Sequence, residues 1–103
     1  MYVLNYWHTV SDYGAWKKLF DSDPLAREAS GVRRLSIERP LDDEHMVIGE
    51  LEFDSLGEAE TFAGRLQGVW KGPAGAMVAN AGYRITEVLV NQELRGAAAR
   101  KVA

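Results

Sequence analysis

The 103-residue chain contains no cysteine, only two histidines and only three prolines. Without thiols there is no disulfide framework, no thiolate zinc site, no iron–sulfur cluster and no cysteine nucleophile. The histidines, His8 and His45, are far apart, and no His, Asp and Glu residues share a ligand-like spacing, so neither a metal nor any other cofactor is expected. No run approaches the roughly 20 apolar residues that a membrane helix needs. The first residues, Met1 to His8, have no basic segment leading into an apolar one, so no signal peptide is expected and a cytoplasmic location follows. Phosphate-loop patterns (GxxxxGK[ST], GxGxxG) and the GxSxG nucleophile elbow are missing as well.

A basic surface is also lacking. The net charge is −3, from 12 basic and 15 acidic side chains. Three of the basic ones, Arg95, Arg100 and Lys101, lie in the last nine residues, where there is no acid, so all 15 acids face nine basic groups in residues 1–94. An acidic body of this kind is a poor nucleic-acid surface, because phosphate contacts need clustered Lys and Arg.

What is present is the composition of one small folded domain, 47% apolar and 26% charged. Tyr2 to Val10 is dense in β-branched and aromatic residues and apolar on both faces, which predicts a central strand. Ser11 and Asp12 offer helix-capping chemistry, and Tyr13, Trp16, Leu19 and Phe20 make one helical stripe. Asp23-Pro24 predicts the start of a second, short helix over 25–30, ended by Gly31. Val32 to Arg39 and Met46 to Phe53 read as the strands of a hairpin around a polar turn, with Val32, Arg34, Ser36 and Glu38 sharing one face of the first. Ser55 and Glu58 match a capping box, and Leu56, Ala59, Phe62 and Leu66 form the stripe of another helix. Pro73 to Ala81 predicts a short helix and Tyr83 to Val90 the last strand.

The order strand, helix, strand, strand, helix, strand is the split βαβ pattern of ferredoxin-like α+β folds: βαββαβ, a four-stranded antiparallel sheet with both helices on one face. It places a single domain in residues 1–91 and a tail in 92–103. The other sheet face carries apolar residues with nothing to cover them, which predicts a homodimer through that open face.

With Asp12 to Phe20 after the first strand and Glu52 to Glu60 after the third, the chain resembles the dimeric α/β-barrel superfamily. The likeness is to its small antibiotic-biosynthesis-monooxygenase-like members and to bacterial proteins described as cyclase-like. The resemblance implies two sheets packed face to face and a pocket between each sheet and its helices. It also implies a monooxygenase-like or cyclase/isomerase-like activity on a small aromatic or polycyclic substrate, without a metal. Non-catalytic binding of a small apolar ligand, or regulation of a partner, is the alternative, and haem binding a lesser one.

Cofactor-independent members of that superfamily use an Asn and a Trp, and Asn5 and Trp70 are similar in place and type. Here Asn5 would hydrogen-bond a substrate oxygen and Trp70, placed after the second helix, would stack on the ring. The structural alternative is a satisfied strand amide and a loop-packing indole. Haem-degrading members add an axial His on or after the second helix, and residues 56–82 contain none. His8 would act as a general base if it faced the pocket, or else make a structural hydrogen bond. The odd spacing from Asn5 to His8 sends them to opposite faces of the strand, so both cannot line one cavity. Trp16, Phe20, Phe62 and Leu66 are candidates for the substrate-binding wall, and equally for plain core. Glu50 and Glu52 share a strand face and read as an acid–base pair or as partners of Arg34 or Arg84. His45 reads as solvated.

Overall fold

A computed structural model describes residues 1–94 of the chain. Strand β1 (Tyr2–Val10) leads to helix α1 (Tyr13–Asp21), then to strands β2 (Val32–Glu38) and β3 (Met46–Phe53). Helix α2 (Leu56–Lys71), a 3-10 helix over Pro73–Met77 and strand β4 (Val78–Glu87) complete the order. The sheet order is β2-β3-β1-β4 and every neighbouring pair is antiparallel. This is the expected ferredoxin-like α+β architecture. Of the tail expected over 92–103, residues from 95 onward lie outside the described residues.

Both long helices begin where the sequence supplies a side-chain cap. The Asp12 carboxylate accepts from the Ala15 amide at 3.2 Å, and the Ser55 hydroxyl accepts from the Glu58 amide at 3.3 Å. Each cap satisfies one of the amides that a first turn leaves open. Helix α2 runs farther than the stripe ending at Leu66 suggested, so Trp70 lies in its last turn and not in a following loop.

Three local expectations are corrected. Residues 25–30 form turns, not a helix: Asp23 and Ala26 sit at φ 54° and 47°, outside helical space, and the Asp23 side chain caps the Arg27 amide at 2.9 Å. Residues 78–82 belong to β4, because Val78 and Ala79 pair with Val10 and Thr9 across the sheet. In β2 the register shifts between Val32 and Arg34, which turns Val32 toward the core beside Phe53 instead of leaving it with Arg34 and Ser36.

The helices grip one face of the sheet at two separate places. Leu4, Leu51 and Phe53 pack under Ala59, Phe62 and Ala63 of α2. Val10 and Val47 pack under Trp16 of α1. Tyr6 lies between them in register with Gly49, and its ring occupies the space that a side chain at 49 would fill. On the opposite face the Trp7 indole lies over Gly82 in the same manner, with an added Cβ only 2.7 Å from the ring. Two consecutive aromatics of β1 thus lie in two glycine notches, one on each face.

Gly49→Ala is expected to lower stability by about 1–3 kcal/mol, since the Tyr6 ring must leave its place to admit a methyl. Gly64→Ala in α2, where nothing lies within 4 Å, is expected to raise stability by roughly 0.5–1 kcal/mol. Urea denaturation of the two variants beside the parent measures both.

Candidate functional site

The site follows from the alternation of β1. Leu4, Tyr6, His8 and Val10 are buried beneath the helices, while Val3, Asn5, Trp7 and Thr9 are half-buried on the other side. His8 therefore enters the gap between the two helix grips, and Asn5 does not. The Asn5 amide donates instead to Thr86 Oγ1 at 3.2 Å and to the Val3 carbonyl at 3.4 Å, on the open face. The facing conflict read in the sequence is resolved for His8, and the joint Asn5–Trp70 site is not assembled within the chain.

Around His8 the rings close in. Tyr6 stacks on it at 5.8 Å between centroids, and Trp16 and Trp70 meet it edge-on at 5.6 and 6.1 Å. Trp16 in turn stacks on Phe20 at 5.2 Å. Phe62, Leu66 and Trp70 recur along one side of α2 and form the facing wall. These rings enclose a cavity with about 70 Å³ of water-accessible space, opening to a void of about 620 Å³ when its mouth is included. Trp16, Phe20, Phe62, Leu66, Trp70 and His8, six of the seven candidate residues, line it. Among the lining residues that the sequence reading did not name, two carry polar groups, Tyr6 and Arg27. Tyr6 carried the same strand parity as His8, and that signal went unused. Arg27, in the turns after α1, carried none.

His8 is 2% exposed, and its Nδ1 is a buried atom without a hydrogen-bond partner. Burial lowers its pKa from the usual histidine value, only partly opposed by the Thr9 backbone. The ring is thus held neutral, with one nitrogen able to accept a proton. Burial acts oppositely on the Tyr6 phenol, pushing its pKa up to about 12, with Arg27 pulling weakly the other way. The other polar candidates lie elsewhere. His45 is exposed beside Glu44 at 3.7 Å. Glu50, on the open face, has its carboxyl pKa raised by burial and by the neighbouring carboxyls of Glu38 and Glu52. Among the described residues no three His, Asp or Glu side chains gather to hold a metal ion, and no helix is long and apolar enough to cross a membrane.

Comparison with known proteins shows the fold. No family model matches the chain, and no curated protein matches it. Solved structures do. A candidate antibiotic biosynthesis monooxygenase from Deinococcus radiodurans is 12% identical, with 93% of this chain and 100% of that one covered at a TM-score of 0.66. The heme-degrader MhuD from Mycobacterium tuberculosis, with two hemes in its active site, is 16% identical, with 90% and 100% covered and a TM-score of 0.59. A dimeric ferredoxin-like protein from an uncultured marine organism is also 16% identical, with 90% and 96% covered and a TM-score of 0.60. The chain therefore has the ferredoxin-like fold of antibiotic biosynthesis monooxygenase-like and dimeric ferredoxin-like proteins, as its sequence resemblance implied.

The residues present do not fit a haem. Helix α2 and the segment after it supply no histidine, and the one cavity histidine is flanked by Tyr6, Trp16 and Trp70, which occupy the space a macrocycle would need beside an axial ligand.

Two opposed pH dependences follow. Below pH 6.5 the unfolded chain protonates at His8 before the folded one does, so stability is lost as pH falls through that window. Above pH 10 the unfolded chain ionises at Tyr6 first, so stability is lost between pH 10 and about 12, by roughly 2–3 kcal/mol. His8→Phe is expected to flatten the acid limb and Tyr6→Phe the alkaline limb of unfolding free energy against pH, measured in urea.

Proposed function

We propose that this chain is a small-molecule enzyme of the monooxygenase-like kind, which binds a planar aromatic or polycyclic substrate in the cavity over His8. The observation that carries this reading is the neutral His8 imidazole lining the floor of a ring-walled cavity. The chain leaves the ring's Nδ1 without a hydrogen-bond partner, which is unfavourable by about 1–3 kcal/mol, so stability alone is a poor reason for a histidine here. A neutral imidazole there also accepts the proton that an electron-rich hydroxyarene loses as it is oxidised. Trp70 and Trp16 hold the ring plane by edge and face contacts, and Phe20, Phe62 and Leu66 exclude water. In the cofactor-independent version a ring methylene gives up its electrons to oxygen: CH2 and O2 become C=O and water, with no metal or other cofactor. Asn5 takes no part in this cavity.

The same reading includes a homodimer, one domain over residues 1–91 and a cytoplasmic location. Support for the dimer comes from the open sheet face, where Val3, Trp7, Met46 and Ile48 are only half-buried, and from structural neighbours that are described as dimeric. Two copies would close this face as paired sheets.

Oxygen uptake with a panel of hydroxylated naphthalenes and anthrones tests the activity. Turnover is expected in the parent protein and is expected to fall on the order of 100-fold or more in His8→Phe. Binding without oxygen uptake would instead favour the non-catalytic ligand-binding reading, and no binding would reject the cavity as a site. Light scattering at micromolar concentration should give twice the 11.4 kDa chain mass, and Trp7→Glu should give the single mass. A monomeric parent would sink the dimer.

A further inference from the structure

Among the described residues, Arg27 is the one charged side chain lining the cavity. Every carboxylate is outside that wall. The Arg27 guanidinium carbon lies over the Phe20 ring, 3.9 Å from its centroid, and Nη1 donates to the Phe20 carbonyl at 2.9 Å. Asp23 holds Nε at 3.4 Å and caps the Arg27 backbone amide at 2.9 Å. Asp23 does this from a neighbouring surface groove and not from the cavity, and Arg27 stands at the boundary, lining both. The group is thus fixed in place while only part of its five N–H donors is engaged. Arg27 is also half-buried, so a charge brought to it meets little competing solvent.

The cavity therefore carries the neutral His8 imidazole at its floor and the Arg27 cation as its one charge, with the Tyr6 phenol as a further polar group among the apolar rings. We propose that its ligand is a hydroxylated aromatic acid, whose hydroxyl donates to His8 and whose carboxylate pairs with Arg27. Arg27 is then the residue that selects the acid over its neutral analogues. This rests on the reading of the cavity as a small-molecule site. A guanidinium presents its donors in one plane, which suits the two oxygens of a carboxylate. A neutral ester of the same shape keeps the ring contacts and the His8 hydrogen bond, and loses only the ion pair.

Calorimetric titration of the whole chain with 6-hydroxy-2-naphthoate and with its methyl ester separates these contributions. The acid is expected to bind the parent on the order of tenfold tighter than the ester. Arg27→Gln should bring the acid down to the affinity of the ester and leave the ester unchanged. Arg27→Lys, checked for folding by circular dichroism like the first variant, should keep part of the preference. Equal affinity of acid and ester in the parent overturns the role of Arg27, and the parent comparison needs no variant to fold. A preference that survives in a folded Arg27→Gln overturns it as well. Binding of neither compound to the parent overturns the cavity reading itself, and this inference with it.

Discussion

The register of β1 decides what this molecule presents to a ligand. The strand is paired on both edges, with β3 on one side and β4 on the other, so its side chains cannot change face without breaking two ladders. A slip of one residue would put Asn5, Trp7 and Thr9 under the helices and expel Tyr6 and His8. The glycine notches reinforce the register. Gly49 receives Tyr6 on the helix side and Gly82 receives Trp7 on the other, and neither pairing survives a shift. The aromatic rings that make the site are therefore fixed by backbone pairing first and by packing second.

That constraint explains why a polar group is tolerated at the floor of an apolar cavity. Burying an imidazole ring is favourable when it is neutral and packed against other rings, and Tyr6 supplies a stacked partner while Trp16 and Trp70 meet it edge-on. The remaining penalty sits on one nitrogen. An apolar residue at position 8 would remove it, so stability alone is a poor account of the histidine, and the proposed ligand hydrogen bond would supply a better one. The arrangement of α1 and α2 fits this account, because they grip the sheet at separate clusters and leave the space above His8 only partly filled.

Much of this was legible in the sequence, and what was not has particular causes. Period-two alternation in Met46 to Phe53 and the stripe from Leu56 to Leu66 are local patterns; the structure reproduces the first, and the second from Ala59 onward, with Leu56 left exposed. The capping residues Asp12 and Ser55 work through their own side chains, so they too are readable. Val32 was misplaced because a bulge adds a residue without any change in local composition. Val78 to Ala81 was read as helix because its strand character comes from pairing with β1, about 70 residues away in the chain. The turns over 23–30 depend on two non-glycine residues at positive φ, which their side chains do not announce. At the site, parity separated His8 from Asn5 and so exposed the conflict, but parity alone did not say which face held the helices. Arg27 was invisible for the same reason as the turns that position it.

The two faces of the sheet carry separate tasks, and the division has a physical consequence. On the helix side, the residues over His8 are aromatic and their one cation is already oriented. On the open side, Trp7 and Ile48 lie beside Glu38, Glu50 and Glu52, a mixed surface on which Glu50 already resists ionisation. Covering that face with a second copy would desolvate these carboxyls further and favour their protonated forms. Assembly and ligand binding would then respond to different groups, the carboxyls of the open face in one case and His8 with Arg27 in the other. β1 joins them, since Trp7 stands between Tyr6 and His8. In the proposed dimer, a partner pressing on Trp7 would bear on the strand whose alternate residues floor the cavity.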